Sequence, residues 1–220
     1  MKRLFILFQL LLFYLLAPAV ELKVDSISTS YKDGEFFTQY KIKFKVSNKV
    51  VSDVADYLVA DFHNSSGNLF NWALKDLGLQ EKKNYEILFI INSSNHDEKT
   101  GITHGNFDIV VPHFTTFKNV KVDAIVSKKS FTNGEIKVIA DIIYSSFMLK
   151  NATGIVTLIP LNNNEHMLIT NVSIKFGWFF NIFITKKRYK SIVEWRIKKF
   201  SENLIDECKK REEIIIKTDE

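Results

Sequence analysis

The side chains that could support metal binding or catalysis are few and widely spaced along the chain. Five histidines occur, without any H-x-x-x-H or H-E-x-x-H pair, at His63, His96, His104, His113 and His166. His104 and Asp108 share one face of a predicted strand, but about 13 Å separates them along it. There is no G-x-S-x-G nucleophile elbow, and the glycines are spread singly rather than in a phosphate-binding loop. The sequence therefore predicts no metal, no cofactor and no catalytic nucleophile.

Cys208 is the only cysteine, so the chain can form no intramolecular disulfide. It falls on the apolar side of a predicted helix, where a lone cysteine is most often a small buried hydrophobe. A chain without disulfides must be stabilised by its hydrophobic core. We therefore expect Cys208 to be buried and chemically inert.

Polar side chains on three predicted strands are the remaining candidates for acid–base chemistry. Alternation decides which face each takes. The more apolar set of each strand defines the inner face: Val120, Val122, Ala124 and Val126 in 118–128; Ile136, Val138, Ala140, Ile142 and Tyr144 in 135–147; Leu168, Thr170, Val172, Ile174 and Phe176 in 166–176. Asp123, Asp141 and Asn171 then face outward, and Tyr144 and Thr170 are the polar groups of an otherwise apolar interior. Asp123 or Asp141 facing inward beside His104 would instead favour an enzyme.

The elements that position these residues follow from turn signals and periodicity. Residues 21–46 predict a β-hairpin around Asp33-Gly34. A helix over 47–62 follows, capped by Ser47 or Asn48, and a short second helix ends at Gly78. From Lys83 onward a period of two predicts strands at 84–92, 103–111, 118–128, 135–147, 153–161 and 166–176, joined by turns at NSSNHDEKTG, TNGE, KNATG and LNNNE. Short connections favour sequential antiparallel strands.

The most regular helical pattern lies near the C-terminal end. Residues 187–211 carry an apolar stripe at steps of three and four, made of Tyr189, Val193, Ile197, Phe200, Leu204 and Cys208. An antiparallel sheet with one apolar face needs a cover, and this helix has the length and the stripe to supply it. The elements predict an α+β fold in which a curved antiparallel sheet packs on a long C-terminal helix.

Residues 1–19 have the features of a secretory signal peptide: basic Lys2 and Arg3, an apolar segment from Leu4 to Leu16, and Ala17-Pro18-Ala19. Thirteen apolar residues span only ~20 Å as a helix, against ~30 Å of hydrocarbon, so cleavage after Ala19 is favoured over a retained anchor. We expect a signal peptide at 1–19, a single domain at 20–211 and a tail at 212–220. The mature protein would be secreted or periplasmic.

The net charge of the chain argues against nucleic acid as a partner. It is +5, and two of the positive charges belong to Lys2 and Arg3. Binding to nucleic acid requires a concentrated basic face, which this mild and scattered excess does not predict.

Three stretches resemble the START-related helix-grip superfamily, also called SRPBCC, which includes polyketide cyclase/dehydrase-like proteins. They are SNKVVSDVADYLVADF at 47–62, ATGIVTLIPLNNNEHMLITNVSIKFGW at 152–178 and FNIFITKKRYKSIVEWRIKKFSENL at 180–204. The resemblance implies a helix-grip fold, with two short helices after the first strand and a space between the sheet and the closing helix. The arm at 21–31 departs from the family pattern.

A space of that kind predicts binding of a hydrophobic small molecule or lipid. The expected lining combines strand and helix residues: Val122, Ala124, Ile142, Tyr144, Thr170, Val172, Ile174, Val193, Ile197 and Phe200. Two other functions stay open at this point. One is a cyclase/hydratase-like enzyme on the same fold, which needs two convergent polar groups in the pocket. The other is an interaction module with a filled core and no ligand.

The aromatic run before the closing helix has two interpretations. In the first, most of Trp178, Phe179, Phe180, Ile182 and Phe183 fill the end of the cavity as core residues. In the second, this end of the protein contacts a membrane surface, because aromatic residues beside basic ones favour an anionic bilayer. The predicted membrane-contact residues are Trp178, Phe179, Lys186, Lys187 and Trp195.

Overall fold

The computed structural model describes residues 25–78, 88–111, 113, 115–162 and 164–218, with the backbone alone for Phe179, Ile182, Phe183 and Thr218. The strands are β1 (Asp25–Lys32), β2 (Glu35–Lys45), β3 (Leu88–Asp97), β4 (Ile102–Val111), β5 (Thr115–Ser130), β6 (Ile136–Ser145), β7 (Leu149–Pro160) and β8 (Glu165–Phe176). The helices are α1 (Asn48–Asn64), a 3-10 helix (Ser66–Asn71), α2 (Trp178–Phe183) and α3 (Lys186–Thr218). The predicted signal peptide and residues 84–87 of a predicted strand lie outside the described residues.

The eight described strands form one curved antiparallel sheet in the order β1-β2-β8-β7-β6-β5-β4-β3. Strands β3 to β8 are neighbours in chain order, as short hairpin connections require. Strand β2 pairs with β8 over ten residues, from Phe36 opposite Ile174 to Lys45 opposite Glu165. This pairing joins the N-terminal hairpin to the end of the sheet, so β1 and β3 are its two edges.

Several turns form where the sequence predicts them. Asp33 and Gly34 both have positive φ angles, of 52° and 80°, as the first hairpin requires of a two-residue loop. Gly134 and Asn164 have φ of 81° and 59° in the two later turns. The turn predicted at KNATG is wrong: residues 150–154 lie inside β7, and the preceding connection is formed by residues 146–148. Pairing of β7 with both neighbours outweighs the turn preference of Asn151 and Gly154.

Helix α3 crosses the inner face of the sheet, and its predicted apolar stripe is confirmed. Tyr189, Ile197, Leu204 and Cys208 are all buried. The helix continues past the predicted end at Arg211, through Thr218. Two contacts hold this extension: the backbone N–H of Ser47 donates to the Glu212 carboxylate at 2.6 Å, and Ile215 packs against the core.

Helix α1 and the segment after it cover the rest of the inner face. The apolar side chains of α1 at helical spacing, Val50, Val51, Val54 and Leu58, are buried in the core against β5 to β8 and α3. The predicted second helix is a 3-10 helix followed by turns rather than an α-helix to Gly78. Positive φ angles at Asp76 and Gly78, of 58° and 70°, end regular structure there. Within the described parts of the chain, no helix combines the length and hydropathy needed to cross a membrane.

Candidate ligand-binding site

The inner face of the sheet has a row of small side chains below α3. Val126, Ala140, Gly154 and Val172 lie directly opposite one another on β5, β6, β7 and β8. Val126 is buried, which places the row on the inner face. A Cβ atom added to Gly154 would meet nothing within 4 Å. A methyl group and a hydrogen at the centre of this row therefore leave space between sheet and helix.

That space is an apolar cavity of about 310 Å³, called here the central cavity. Its floor is the row just described, and Ile197 and Phe200 of α3 cover it. The segment after the 3-10 helix closes one side with Leu74 and Leu77. The remaining lining residues are Leu58, Phe62, Leu69, Val138, Ile155, Val156, Thr170 and Arg196.

A second apolar cavity of about 250 Å³, the end cavity, lies further toward the N-terminal end of α3. Three residues of the aromatic run, Phe176, Phe180 and Ile184, line it. The other lining residues are Phe89, Ile109, Val111, Met148, Leu149, Ile174, Tyr189, Ile192, Val193 and Arg196. The two cavities follow one another along β8, from Thr170 and Val172 to Ile174, and along α3.

A long helix held across a curved antiparallel sheet, with space between them, is the defining geometry of one architecture. The chain has a helix-grip fold. The fold class predicted from the sequence is confirmed, including its two short helical segments after the N-terminal hairpin. Binding of a ligand must still be argued from the residues around the two cavities, because one fold serves many functions.

Solved structures with similar folds include three of known description. The STAR-related lipid transfer protein of Xanthomonas axonopodis aligns at 11% identity and a TM-score of 0.49, over 85% of this chain and 99% of its own. A START superfamily protein of Mycobacterium smegmatis aligns at 10% and 0.45, over 79% and 97%. Norcoclaurine synthase of Thalictrum flavum aligns at 9% and 0.43, over 82% and 87%. No protein-family model and no curated protein sequence matches the chain.

Polar groups near the cavities are largely engaged with one another. Thr170, predicted as a polar contact for ligand, lines the central cavity, but its hydroxyl lies 2.7 Å from the Ser201 hydroxyl. Ser201 in turn donates to the Ile197 carbonyl at 2.9 Å. In the end cavity the Thr38 hydroxyl donates to the Tyr189 hydroxyl at 3.3 Å, and burial raises the pKa of Tyr189. Such satisfied hydroxyls stabilise the packing of α3 on β8 more than they offer reactive groups.

Arg196 is the exception, and the sequence analysis did not select it. It lines both cavities. Its Nε–H donates to the Leu77 carbonyl at 2.9 Å, and its guanidinium carbon lies 5.2 Å from the centre of the Trp195 ring. The signal was present: Arg196 follows Val193 by three residues and precedes Phe200 by four, so it falls on the apolar stripe of α3.

The predicted lining residues divide into three groups. Thr170, Val172, Ile197 and Phe200 line the central cavity, and Ile174 and Val193 line the end cavity. Val122, Ala124 and Ile142 lie on inner-face positions of the sheet, but they border neither cavity. The sequence could assign these residues to a face, but it could not show how far along the sheet α3 and the small-residue row leave space.

Tyr144 was predicted to face inward, and this is wrong: it is 50% exposed. A β-bulge is the physical reason. Ala124 pairs with Ile142 and Asp123 pairs with Tyr144, so Ile143 is an extra residue on β6. One extra residue exchanges the two faces for the rest of the strand. Tyr144 therefore shares the outer face with its partner Asp123.

The polar pair that would have favoured an enzyme lies on the outer face. His104 Nδ1 and Asp123 Oδ1 are 2.8 Å apart, with side chains 49% and 28% exposed. Asp141 pairs with Ile125, which is also exposed, and so faces outward as predicted. None of these groups borders either apolar cavity. The condition set for acid–base chemistry inside the cavity is therefore not met by these residues.

The other titratable groups occupy structural positions. His63 and His96 stack with ring centres 4.0 Å apart, and burial, followed by the nearby His96, lowers the pKa of His63. His166 is buried beside Asn48, whose side-chain oxygen lies 2.8 Å from Nε2. Cys208 is buried as predicted, and burial raises its thiol pKa to about 12. Among the described residues, no group of three metal-ligating side chains is placed to hold an ion.

The predicted membrane-contact residues are largely on the surface. Trp178 is 75% exposed and Trp195 is 37% exposed. Lys186 and Lys187 are exposed, and the Lys186 ammonium lies 5.1 Å from the centre of the Tyr31 ring. The side chain of Phe179 lies outside the described part of the structure. The core interpretation of the aromatic run therefore holds for Phe180 and not for Trp178.

Trp178 has an exposed aromatic neighbour from another loop. Phe147, in the β6–β7 connection, is 41% exposed and packs with Phe117 and Phe180 at ring-centre distances of 5.4 and 5.9 Å. Gly177 fixes this approach: its N–H donates to the Met148 carbonyl at 2.9 Å, and a Cβ atom at 177 would lie 2.2 Å from the Phe147 carbonyl oxygen. Only glycine allows the two backbones to come so close.

Proposed function

We propose that this protein binds a hydrophobic small molecule or lipid in the space between the sheet and α3. The observation that carries the proposal is the pair of adjoining apolar cavities below one face of that helix. The central cavity alone lies within the usual size of small-molecule sites, roughly 300–1,000 Å³. Carbon side chains form nearly all of its lining.

The driving force for such binding is removal of apolar surface from water. It contributes roughly 25 cal/mol for each Å² of apolar area buried, before the cost of ordering the ligand. Empty apolar space between well-packed layers also forgoes dispersion contacts that a ligand would restore. Both effects favour occupation of the cavities, and neither requires a reactive group.

Binding is favoured over catalysis because the reactive side chains are elsewhere. Acid–base catalysis requires groups within hydrogen-bond reach of the reacting atoms. The His104–Asp123 pair lies on the opposite face of the sheet, and the Thr170 and Tyr189 hydroxyls are bonded to neighbouring hydroxyls. The described cavity lining thus supports a carrier or receptor role.

We also propose that the protein is exported and that its α2 end contacts membranes peripherally. Export is supported by the composition of residues 1–19. Membrane contact is supported by exposed Trp178 and Phe147 with Lys186 and Lys187 nearby in the chain. Because Phe180 lines the end cavity and packs on Phe147, this surface adjoins the ligand space.

The test of ligand binding is native mass spectrometry of the protein purified from its own exporting host, followed by organic extraction. The proposal predicts a mass above that of the polypeptide and an extractable apolar compound. N-terminal sequencing of the same sample tests export, with Val20 expected as the first residue. A mass equal to the polypeptide alone, with no uptake of added apolar compounds, would overturn the binding proposal.

A further inference from the structure

Arg196 narrows the chemical class of the ligand, and this inference rests on the proposed function. The central cavity and the end cavity share this one residue. Among the described residues that line either cavity, it is the one with a formal charge. A ligand that occupies this space therefore has a single cationic group beside otherwise apolar walls.

The position of the guanidinium is held by the protein. Its Nε–H bonds to the Leu77 carbonyl at 2.9 Å, and Leu77 itself is a wall of the central cavity. The Trp195 ring lies 5.2 Å from the guanidinium carbon on the other side. A guanidinium has five N–H donors in a planar fork, so it can hold a carboxylate with two of them while other bonds persist.

We propose that the ligand is an anionic amphiphile, a single-chain carboxylic acid, whose carboxylate binds Arg196 and whose apolar chain lies in the adjoining cavities. A charge-assisted bond is stronger where water is partly excluded, because the effective dielectric constant is lower. The apolar walls recognise the chain, and Arg196 selects the acid over the corresponding alcohol.

The size of the space favours one chain over two. At the packing density of protein interiors, cavities of about 310 and 250 Å³ together hold roughly 20 non-hydrogen atoms. A long-chain fatty acid has about this number, whereas a diacyl phospholipid has more than twice as many. One guanidinium also matches the single charge of a carboxylate.

Competition against a neutral fluorescent probe, Nile red, tests the assignment. Dodecanoic acid and dodecanol are compared at pH 8, where the acid is ionised, below their aggregation limits. The wild-type protein is expected to bind the acid at least about tenfold more tightly than the alcohol. In Arg196→Gln this preference should disappear, while the affinity for dodecanol stays within about twofold of wild type.

Lys199→Gln is the matched control, because it removes one positive charge from the same helix at a residue that borders neither apolar cavity. It should keep the preference for the acid. Arg196→Lys keeps the charge but not the fork, and is expected to show a reduced preference. It also gives a reading if the glutamine variant fails to fold, as judged by circular dichroism.

The outcomes separate this inference from the proposed function. Equal affinity of the wild-type protein for acid and alcohol would overturn the role of Arg196 and leave apolar binding intact. An acid preference that survives in Arg196→Gln would do the same. Failure of Nile red, dodecanol and dodecanoic acid to bind at all would overturn both proposals together.

Discussion

Gly154 lies directly opposite Ala140 on the inner face of the sheet, below the part of α3 that carries Ile197 and Phe200. Two of the smallest side chains thus face each other where the helix crosses. The central cavity exists because of this pair, since larger residues here would meet the helix and close the space.

Filling this position should block the ligand. A Gly154→Leu substitution places a side chain in the central cavity, where a Cβ atom has no neighbour within 4 Å. We expect affinity for an apolar ligand such as dodecanol to fall at least about tenfold. We expect the free energy of unfolding of the ligand-free protein to change by less than about 1.5 kcal/mol, because empty space is filled.

Thr153→Leu is the matched control for that experiment. Thr153 is the preceding residue on β7 and points to the opposite face of the sheet. Isothermal titration calorimetry on the two variants should show loss of binding in Gly154→Leu and near-wild-type binding in Thr153→Leu. Equal affinities would place the ligand outside the central cavity.

Membrane contact should depend on aromatic and basic residues together. The wild-type mature protein is expected to co-sediment with vesicles that contain anionic lipid and to release as salt rises, because surface charges are screened. Trp178→Ser and the pair Lys186→Glu with Lys187→Glu should each weaken sedimentation severalfold. Tryptophan fluorescence should shift to the blue on binding in wild type.

A charge reversal away from this surface provides the control for sedimentation. Lys129→Glu lies at the exposed end of β5 and should leave vesicle binding unchanged. Sedimentation that is absent at low salt, or equal in all the variants, would count against membrane contact while leaving ligand binding untouched.

Stability should fall as pH decreases through the range where unfolded histidines titrate. Burial lowers the pKa of His63 and of His166, and the nearby Glu212 only partly opposes this at His166. Between those lowered values and the ordinary histidine pKa of ~6.5, the unfolded chain binds more protons than the folded one. The free energy of unfolding is therefore full above about pH 7.5 and falls on acidification below ~6.5.

His166→Gln isolates one of these contributions. Glutamine can still donate a hydrogen bond toward Asn48 but does not titrate. Thermal melts from pH 7.5 to 5.5 should show a smaller loss of Tm in this variant than in wild type. An identical pH dependence of Tm would contradict a titrating role for His166.

The C-terminal turns of α3 should depend on Glu212. Its carboxylate accepts the Ser47 backbone N–H at 2.6 Å, at the start of α1. Glu212→Ala is expected to lower the free energy of unfolding by about 1–3 kcal/mol, as loss of a hydrogen bond to a charged group does. Glu213→Ala, at an exposed neighbouring position, should change it by less than about 0.5 kcal/mol, as measured by chemical denaturation.

Much of the fold could be predicted because local signals and alternation act over short distances. The Asp33-Gly34 turn, the inward set on β8 and the stripe on α3 each depend on nearby residues alone. The continuation of α3 to Thr218 could not be predicted in this way. It depends on the contact between Glu212 and Ser47, which are far apart in the chain.

The candidate site was predicted less completely, for two physical reasons. A single extra residue, Ile143, exchanges the faces of β6 and moves Tyr144 outward, and no local signal marks such a bulge. The central cavity, in turn, depends on small residues of neighbouring strands being aligned. Ala140 and Gly154 are harmless small residues in the sequence, and only the strand register makes them the floor of a cavity.

The most direct test of the account is nuclear magnetic resonance of the methyl-labelled protein saturated with dodecanol. Binding between sheet and helix predicts intermolecular Overhauser effects from the ligand chain to methyl groups of Val138, Val172 and Ile197, which line the central cavity. Overhauser effects confined to surface methyl groups such as those of Ile90 and Ile216, with none to these three residues, would contradict it.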